Sequence, residues 1–217
     1  NLDKYNKDLI NRNLKFLFEF FNSYKVMHGY DDIYEKNFFP LKNNKLNLLE
    51  IGTAKGDGLA SFFYYFKNSN FVGIDNNPFK IKYKSKKLRN IYGDISSKKV
   101  LSNLSEYLDD KFDIIIEDCS HKLIDQILCF SFMFNNLKSG GYYIVEDLNF
   151  PEIDAAYNPT NEDLSLKSIL IKINENNEFN SKFLNIDQIK YLKNNIESIN
   201  FLKGKDERTE IVLIKKK

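Results

Sequence analysis

Along this 217-residue chain the spacing of apolar residues changes several times, and each change predicts an element. From Leu2 to about Met27 they recur at helical spacing, at Leu9, Ile10, Leu14, Leu17, Phe18 and Phe21, which predicts an amphipathic helix ahead of the main fold. Residues 28–44 mix Gly, Pro, Asp and aromatic side chains without a period and read as a surface loop placed to cover a site. Beyond it, short apolar runs at 46–51, 70–74, 91–92, 112–117 and 142–146 alternate with helix-period segments at 57–67, 78–87, 97–108 and 122–137. Strand and helix in strict alternation imply right-handed crossovers and a parallel sheet covered on both faces, a Rossmann-like doubly wound α/β fold. The alternation stops after Leu148. A polar, Pro-containing loop is expected at 149–163 and a helix at 164–176. Two β-like runs at 196–202 and 210–214, joined by GKDERT, then predict a terminal antiparallel hairpin.

Length and composition narrow the picture. A chain of this size holds one core, so the expected organisation is an N-terminal helix and lid segment at 1–45 leading into 46–217, all within one structural domain. Lys plus Arg is 32 against 30 Asp plus Glu, a net charge of +2 that gives no bulk attraction to nucleic acid. No apolar run approaches a membrane span of roughly 18 residues, and no secretory core opens the chain, so a cytoplasmic protein without a membrane partner is expected. Cys119 and Cys129 stand in no CxxC or metal-ligand spacing and read as reduced thiols. The aromatic-rich first 40 residues suit either a lid or the interface of a homo-oligomer.

Candidate chemistry gathers at the predicted strand ends. In LLEIGTAKGDGLA the strand closes on Glu50, and Gly52, Gly56 and Gly58 crowd the turn into the next helix, where a ligand can approach the backbone or the glycines can serve packing alone. The Gly52 to Gly56 spacing is not the dinucleotide fingerprint GxGxxG, and Lys55 stands in the wrong order for a P-loop. The next strand ends at Asp75 in FVGIDNNP, a position where a carboxylate accepts from both ribose hydroxyls or simply opens a turn. Asp94 in YGDISS is placed either for an adenine edge or to cap the following helix. FDIIIEDCSH brings Glu117, Asp118 and His121 to the sheet's carboxyl edge, with His121 a candidate base or metal ligand. GGYYIVEDL adds Glu146 and Asp147. Acidic pairs on neighbouring strand ends repel unless a cation, such as a divalent ion on oxygen ligands, lies between them or water screens them.

Taken together, the acid-Gly-rich motif of 50–58, Asp75, Asp94 and the terminal hairpin resemble class I S-adenosylmethionine-dependent methyltransferases. More narrowly, the chain resembles the metal-dependent sugar O-methyltransferases of the macrocin and mycinamicin type. Their Asp-Asp-Gly-Ser-His strand end is matched by Glu117-Asp118-Cys119-Ser120-His121, with Cys in place of Gly and Glu in place of Asp. A later Gly-Gly strand ending in two acids is matched by 140–147. The resemblance covers roughly 46–148. It implies S-adenosylmethionine held by Glu50, Gly52, Thr53, Gly56, Asp75, Asn76, Asp94 and Glu117. It also implies Mg²⁺ or Mn²⁺ on Asp118, Glu146 and Asp147, and His121 as general base beside Asp118. The acceptor expected from it is a small molecule: a sugar hydroxyl, or a phosphoryl or phosphoramidate oxygen of a nucleotide-linked or capsular-polysaccharide precursor or a secondary metabolite. A nicotinamide oxidoreductase would also use Asp75 but needs the missing GxGxxG, and a non-catalytic nucleoside-binding module would make the clustered acids incidental. Nucleic-acid methylation is disfavoured because no Asn-Pro-Pro-Tyr-type motif or basic face is present.

Overall fold

A computed structural model describes residues 1–4, 7–9, 11–108, 111–162 and 164–217; Ile10 of the predicted helix and Asp163 of the predicted loop lie outside the described residues. The chain enters through a short 3₁₀ turn, Lys7–Leu9, and helix α1, Leu14–Phe21. The expected long N-terminal helix is therefore only two turns, because asparagines stop it at both ends. Asn13 caps it by accepting from Phe16 N, and Asn22 closes it in the left-handed conformation at φ 58°. Its buried stripe, Leu14, Leu17, Phe18 and Phe21, packs on the first helix of the α/β unit, where Ser61 Oγ donates to the Leu17 carbonyl at 3.2 Å.

Residues 28–44 are not a loop. A 3₁₀ turn at Tyr24–Val26 leads into helix α2, Tyr30–Phe38. Tyr30, Tyr34 and Phe38 recur every four residues and are fully buried on its inner face; reading aromatics as apolar at helical spacing would have found it.

Strand β1, Asn47–Ile51, opens the alternation, followed by α3, Asp57–Tyr65; β2, Asn70–Asp75; β3, Leu88–Tyr92; α4, Lys98–Tyr107; β4, Phe112–Glu117; α5, Leu123–Met133; and β5, Leu137–Val145. The predicted helix at 78–87 is instead a 3₁₀ turn, Pro78–Lys80, and irregular chain: its lysines leave no apolar stripe to bury. After β5, the segment expected as loop carries the one-turn helix α6, Phe150–Ile153, and a 3₁₀ turn, Ala155–Tyr157. Helices α7, Leu166–Asn174, and α8, Ile186–Asn195, precede β6, Ile196–Lys203, and β7, Glu210–Lys216. Helix α8 was absent from the sequence expectation although Asn185 and Gln188 form a capping box at its start.

The seven strands form one sheet in the order β3-β2-β1-β4-β5-β7-β6, parallel except for β7, which runs antiparallel to β5 and to β6. One core lies under α4, α5, α7 and α8, and another under α1, α2 and α3. The order reverses between β1 and β4, so the loops leaving their carboxyl ends diverge and open a crevice. The ladder continues one residue past these ends. Asp118 N donates to Ile51 O at 2.8 Å and Glu146 N to Glu117 O at 3.0 Å, which sets Gly52, Asp118 and Glu146 in a row.

Candidate active site

Two cavities meet at the end of that row. The first, about 370 Å³, lies over β1, β2 and the chain after β3; it is lined by Gly52, Asp75, Asn76, Asp94 and, on its far wall, Asp118 and Cys119. The second, about 360 Å³, is lined by Lys25, His28, Glu50, Thr53, His121 and the acids Asp118, Glu146 and Asp147. Gly52, Ala54 and Asp118 belong to both. Gly52 is required at this junction: its φ is 89°, and a Cβ there would overlap the Asp118 carbonyl.

In the first cavity, Asp75 holds the glycine-rich loop in place. Its Oδ2 accepts from Ala54 N at 2.7 Å and its Oδ1 from Asn77 N at 2.8 Å, and each oxygen keeps a further lone pair for a ligand hydroxyl. Asp94 accepts from Ser96 N and Oγ at 3.0 and 2.8 Å, while Ser97 caps α4; of the two roles open to Asp94, capping that helix belongs to Ser97. Gly56, at φ 84°, is the N-cap of α3 and lines neither cavity.

Glu117 also lines neither. It is buried on the far side of the strand, where Oε2 accepts from Tyr143 at 2.8 Å and the carboxyl lies beside Cys119 and Cys129, both free thiols. Burial, and then the neighbouring Cys129, push Glu117 well above the usual carboxylate range. The expected cofactor role thus meets a carboxyl turned into the core.

The second cavity is built by long-range contacts. Lys25, 4% exposed, places its ammonium 2.8 Å from Asp118 Oδ2, 2.8 Å from Glu146 Oε1 and 3.1 Å from Glu50 Oε1. From α2, Tyr34 donates to Glu146, and Tyr30 donates to Asp147 Oδ1 at 2.6 Å. His121 Nε2 stands 3.9 Å from Asp118 Oδ1 and 3.8 Å from Asp147 Oδ2; ligand atoms of these three lie within 4.8 Å of one another. The His121 ring is backed by Phe150 and Tyr157 from the segment after β5, at centroid distances of 5.2 and 6.3 Å.

Of the three carboxylates expected to hold a metal, Asp118 and Asp147 therefore face His121 and each other, and Glu146 faces Lys25 and Tyr34 instead. Burial, and then the charge of Asp118, push Glu146 well up; burial acts the same way on Asp118, but the Lys25 ammonium and His121 outweigh it and bring Asp118 below its ordinary value. Burial raises Asp147, partly offset by the Tyr30 hydrogen bond.

The backbone is held in unusual shapes at this site. Ser120, His121 and Asp147 have φ of 37°, 53° and 51°, a conformation non-glycine residues seldom adopt outside constrained sites. Cys119 is not among the positive-φ residues, so Cys in place of Gly there carries no backbone penalty. Sequence reasoning missed Lys25, His28, Tyr30 and Tyr34. For the tyrosines the spacing of four was the available signal; for Lys25 there was none, since one lysine among many carries no mark.

The geometry fits the ligands the motifs imply. The glycine-rich turn leaves space beside a strand-end acid for a nucleoside. Two carboxylates converging beside a histidine match the oxygen ligands a hard divalent ion takes. Among the described residues, no helix is long and apolar enough to cross a membrane.

Comparison with known proteins agrees with this architecture. The chain is 29% identical over 141 residues to 8-demethyl-8-alpha-L-rhamnosyl tetracenomycin-C 2'-O-methyltransferase of Streptomyces olivaceus, covering 60% of this chain and 37% of that protein. It is 26% identical over 129 residues to mycinamicin VI 2''-O-methyltransferase of Micromonospora griseorubida, covering 56% and 32% respectively. The chain thus spans about a third of the length of these curated relatives. Among solved structures, MycE methyltransferase from the mycinamycin biosynthetic pathway, in complex with Mg, SAH and mycinamycin VI, superposes with a TM-score of 0.72 at 20% identity over 94% of this chain and 54% of that one, a likeness of fold. A family profile described as a methyltransferase domain matches residues 42–213, from just before β1 into the last strand, and the chain belongs to that family.

Proposed function

We propose that the protein is an S-adenosylmethionine-dependent O-methyltransferase that uses a divalent cation, Mg²⁺ or Mn²⁺, and methylates a sugar hydroxyl. The observation that carries this reading is the junction at Gly52 and Asp118, where a nucleoside-sized cleft opens onto a pocket holding two convergent carboxylates and a histidine. Its curated relatives are named as sugar 2'- and 2''-O-methyltransferases, and MycE was solved with Mg and SAH.

In this reading Gly52, Asp75, Asn76 and Asp94, which line the first cavity, would hold the adenosine of S-adenosylmethionine. Methyl transfer is an in-line displacement, so holding both reactants in line supplies much of the acceleration. The acceptor oxygen enters from the side of Asp147 and His121. A hydroxyl is a weak nucleophile near neutral pH, and His121 takes its proton as the carbon–oxygen bond forms. Asp118 and Asp147 would hold the divalent ion, which when bound would supply Lewis-acid polarisation of the acceptor hydroxyl. Phe150 and Tyr157 keep the His121 ring oriented.

Charge favours a neutral acceptor over a phosphoryl oxygen. The second cavity has Glu50, Asp57, Asp118, Glu146 and Asp147 in its wall against Lys25 and Lys55, and the Lys25 donors are already engaged.

The test is methyl transfer from labelled S-adenosylmethionine to a panel of glycosides, nucleotide sugars and sugar phosphates, with and without EDTA. Transfer to a hydroxyl that EDTA abolishes and Mg²⁺ restores is expected. Undiminished turnover in EDTA would remove the metal from the reaction, and preference for a phosphoryl oxygen would remove the sugar hydroxyl.

A further inference from the structure

Glu117 and Asp118 point to opposite sides of the carboxyl end of β4, and the reading above uses only the Asp118 side. On the other side Glu117 is 1% exposed and its neighbours are sulfur. Ligand atoms of Glu117, Cys119 and Cys129 all lie within 4.8 Å of one another. The fold brings them together: the turn after β4 supplies Cys119, and the middle of α5 supplies Cys129.

The two oxygens of Glu117 are treated differently. Oε2 accepts from Tyr143 at 2.8 Å, whereas Oε1 is buried without a hydrogen-bond partner among the described residues. A buried acceptor left unpaired is destabilising, and such atoms are few in a native core. This one sits in a cluster with both thiols of the chain.

Two sulfurs and a carboxylate suit a borderline or soft divalent cation such as zinc, and are a poor donor set for Mg²⁺, which takes oxygen. Ligands about 2.0–2.3 Å from a tetrahedral zinc lie roughly 3.3–3.8 Å from one another, so these three atoms need to close by at most about 1.5 Å. A disulfide would draw the sulfurs to about 2 Å and leave Oε1 unpartnered, so the carboxylate favours a cation over a bridge. Cys119 is half-buried and lines the nucleoside cleft, the side from which an ion and a fourth ligand, water, would arrive.

We propose that Glu117, Cys119 and Cys129 form a second cation site, for a thiophilic divalent ion of the zinc type, on the side of β4 opposite the pocket of Asp118 and Asp147. An ion there ties the turn after β4 to α5. It thereby fixes Cys119, whose Cβ would stand 2.6 Å from a Cβ on Gly52, against the wall of the nucleoside cleft. The site shares no ligand with Asp118, Asp147 or His121, so it stands or falls apart from the methyltransferase reading.

The experiment uses Co²⁺ as a spectroscopic stand-in for zinc. Full-length protein, kept reduced by a phosphine and supplied with excess Mg²⁺, is titrated with Co²⁺. Wild type is expected to bind one Co²⁺ per chain with thiolate-to-cobalt charge-transfer absorption in the near ultraviolet and tetrahedral bands in the visible. One equivalent of Zn²⁺ should remove both. Cys119→Gly and Cys129→Ala, checked for folding by circular dichroism, should lose these bands at the Co²⁺ concentration that saturates wild type. Their Zn²⁺ affinity should fall at least about 100-fold, since loss of an outer-shell partner alone costs about 10–100-fold. Glu117→Gln should keep the thiolate absorption with weakened Zn²⁺ affinity, and Asp118→Asn should keep both.

Wild-type protein that binds no Co²⁺, or binds it without thiolate absorption, overturns the proposal, and that outcome needs no variant to fold. Bands that survive Cys119→Gly overturn it as well. Bands lost in a folded Asp118→Asn would place the cobalt in the other pocket and do the same. Failure of the methyltransferase reading looks different: no methyl transfer to any acceptor, with the cobalt bands intact.

Discussion

The two cavities on either side of Gly52 are built in opposite ways. In the nucleoside cleft, the groups that face a ligand are fixed by their own loops: Asp75 reaches back 21 residues to Ala54 N, and Asp94 bonds to Ser96 two residues on. In the acidic pocket the carboxylates are held mainly from a distance. Asp118 and Glu146 are set by Lys25, Glu146 and Asp147 by Tyr34 and Tyr30, and all three partners come from the N-terminal segment more than 90 residues away. Local scaffolding suits a cofactor whose shape does not change. A pocket assembled from a separate segment can be altered for a new acceptor without disturbing the cleft.

The largest effect is expected where the two halves join. Gly52→Ala forces a left-handed backbone on a residue with a Cβ and drives that carbon into the Asp118 carbonyl. Strain and overpacking each cost about 1–3 kcal/mol, so a loss of about 3 kcal/mol is expected. For a chain of this size that lowers the thermal midpoint by roughly 6–12 °C, read by circular dichroism. A midpoint within a degree of wild type would mean that the loop relaxes and the two halves are not locked together here.

A second comparison separates the halves by kinetics. Asp118→Asn keeps the shape of the junction but removes the charge that faces His121 and Asp147, and kcat is expected to fall by about 10²–10⁴ with little change in the affinity for S-adenosylmethionine. Asp75→Ala removes the acceptor of two backbone N–H bonds and of the ribose. It should raise the KM for S-adenosylmethionine about tenfold or more and leave kcat nearly intact, because each lost hydrogen bond is worth about 1 kcal/mol. If both variants lost the same parameter, the division of labour between the cavities would be wrong.

Legibility in the sequence follows the same division. The sheet, its terminal hairpin and the strand-end positions of Asp75, Asp94, Asp118 and Asp147 were readable because each depends on a short run of apolar residues closing on a polar one. The lysine-rich run at 78–87 misled because its apolar residues, Phe79, Ile81 and Tyr83, alternate with lysines and leave no stripe for a helix to bury. The acids at the strand ends did call for a positive charge. In the proposed reading a divalent ion would answer that for Asp118 and Asp147, while Glu50 and Glu146 pair with Lys25, a partner set by the packing of α1 and α2 and therefore invisible to any local motif. Glu117 was expected to hold the cofactor through the resemblance, as the match to the first Asp of the Asp-Asp-Gly-Ser-His strand end; alternation along the strand sends it to the face opposite Asp118, into the core.

That alternation supports the smallest effect, which separates adjacent acids on one strand. Glu117 is buried and raised well above its ordinary pKa, while Asp118 is held below its own by Lys25. In the unfolded chain Glu117 loses its proton near the usual 4.5, but in the folded protein it keeps it well above that. The native state therefore binds more protons across this window, and its stability falls as pH rises from about 4.5 towards the raised value. Glu117→Gln imitates the protonated carboxyl, with Oε1 still able to accept from Tyr143 and the amide directed at Cys129. Measured without metal, the variant should unfold at the wild-type temperature at pH 4.5 and at a higher one at pH 8, with bound adenosylhomocysteine unaffected. A gap that is constant with pH would mean that Glu117 is ionised in the fold, and that the inner face of β4 carries a charge as its outer end does.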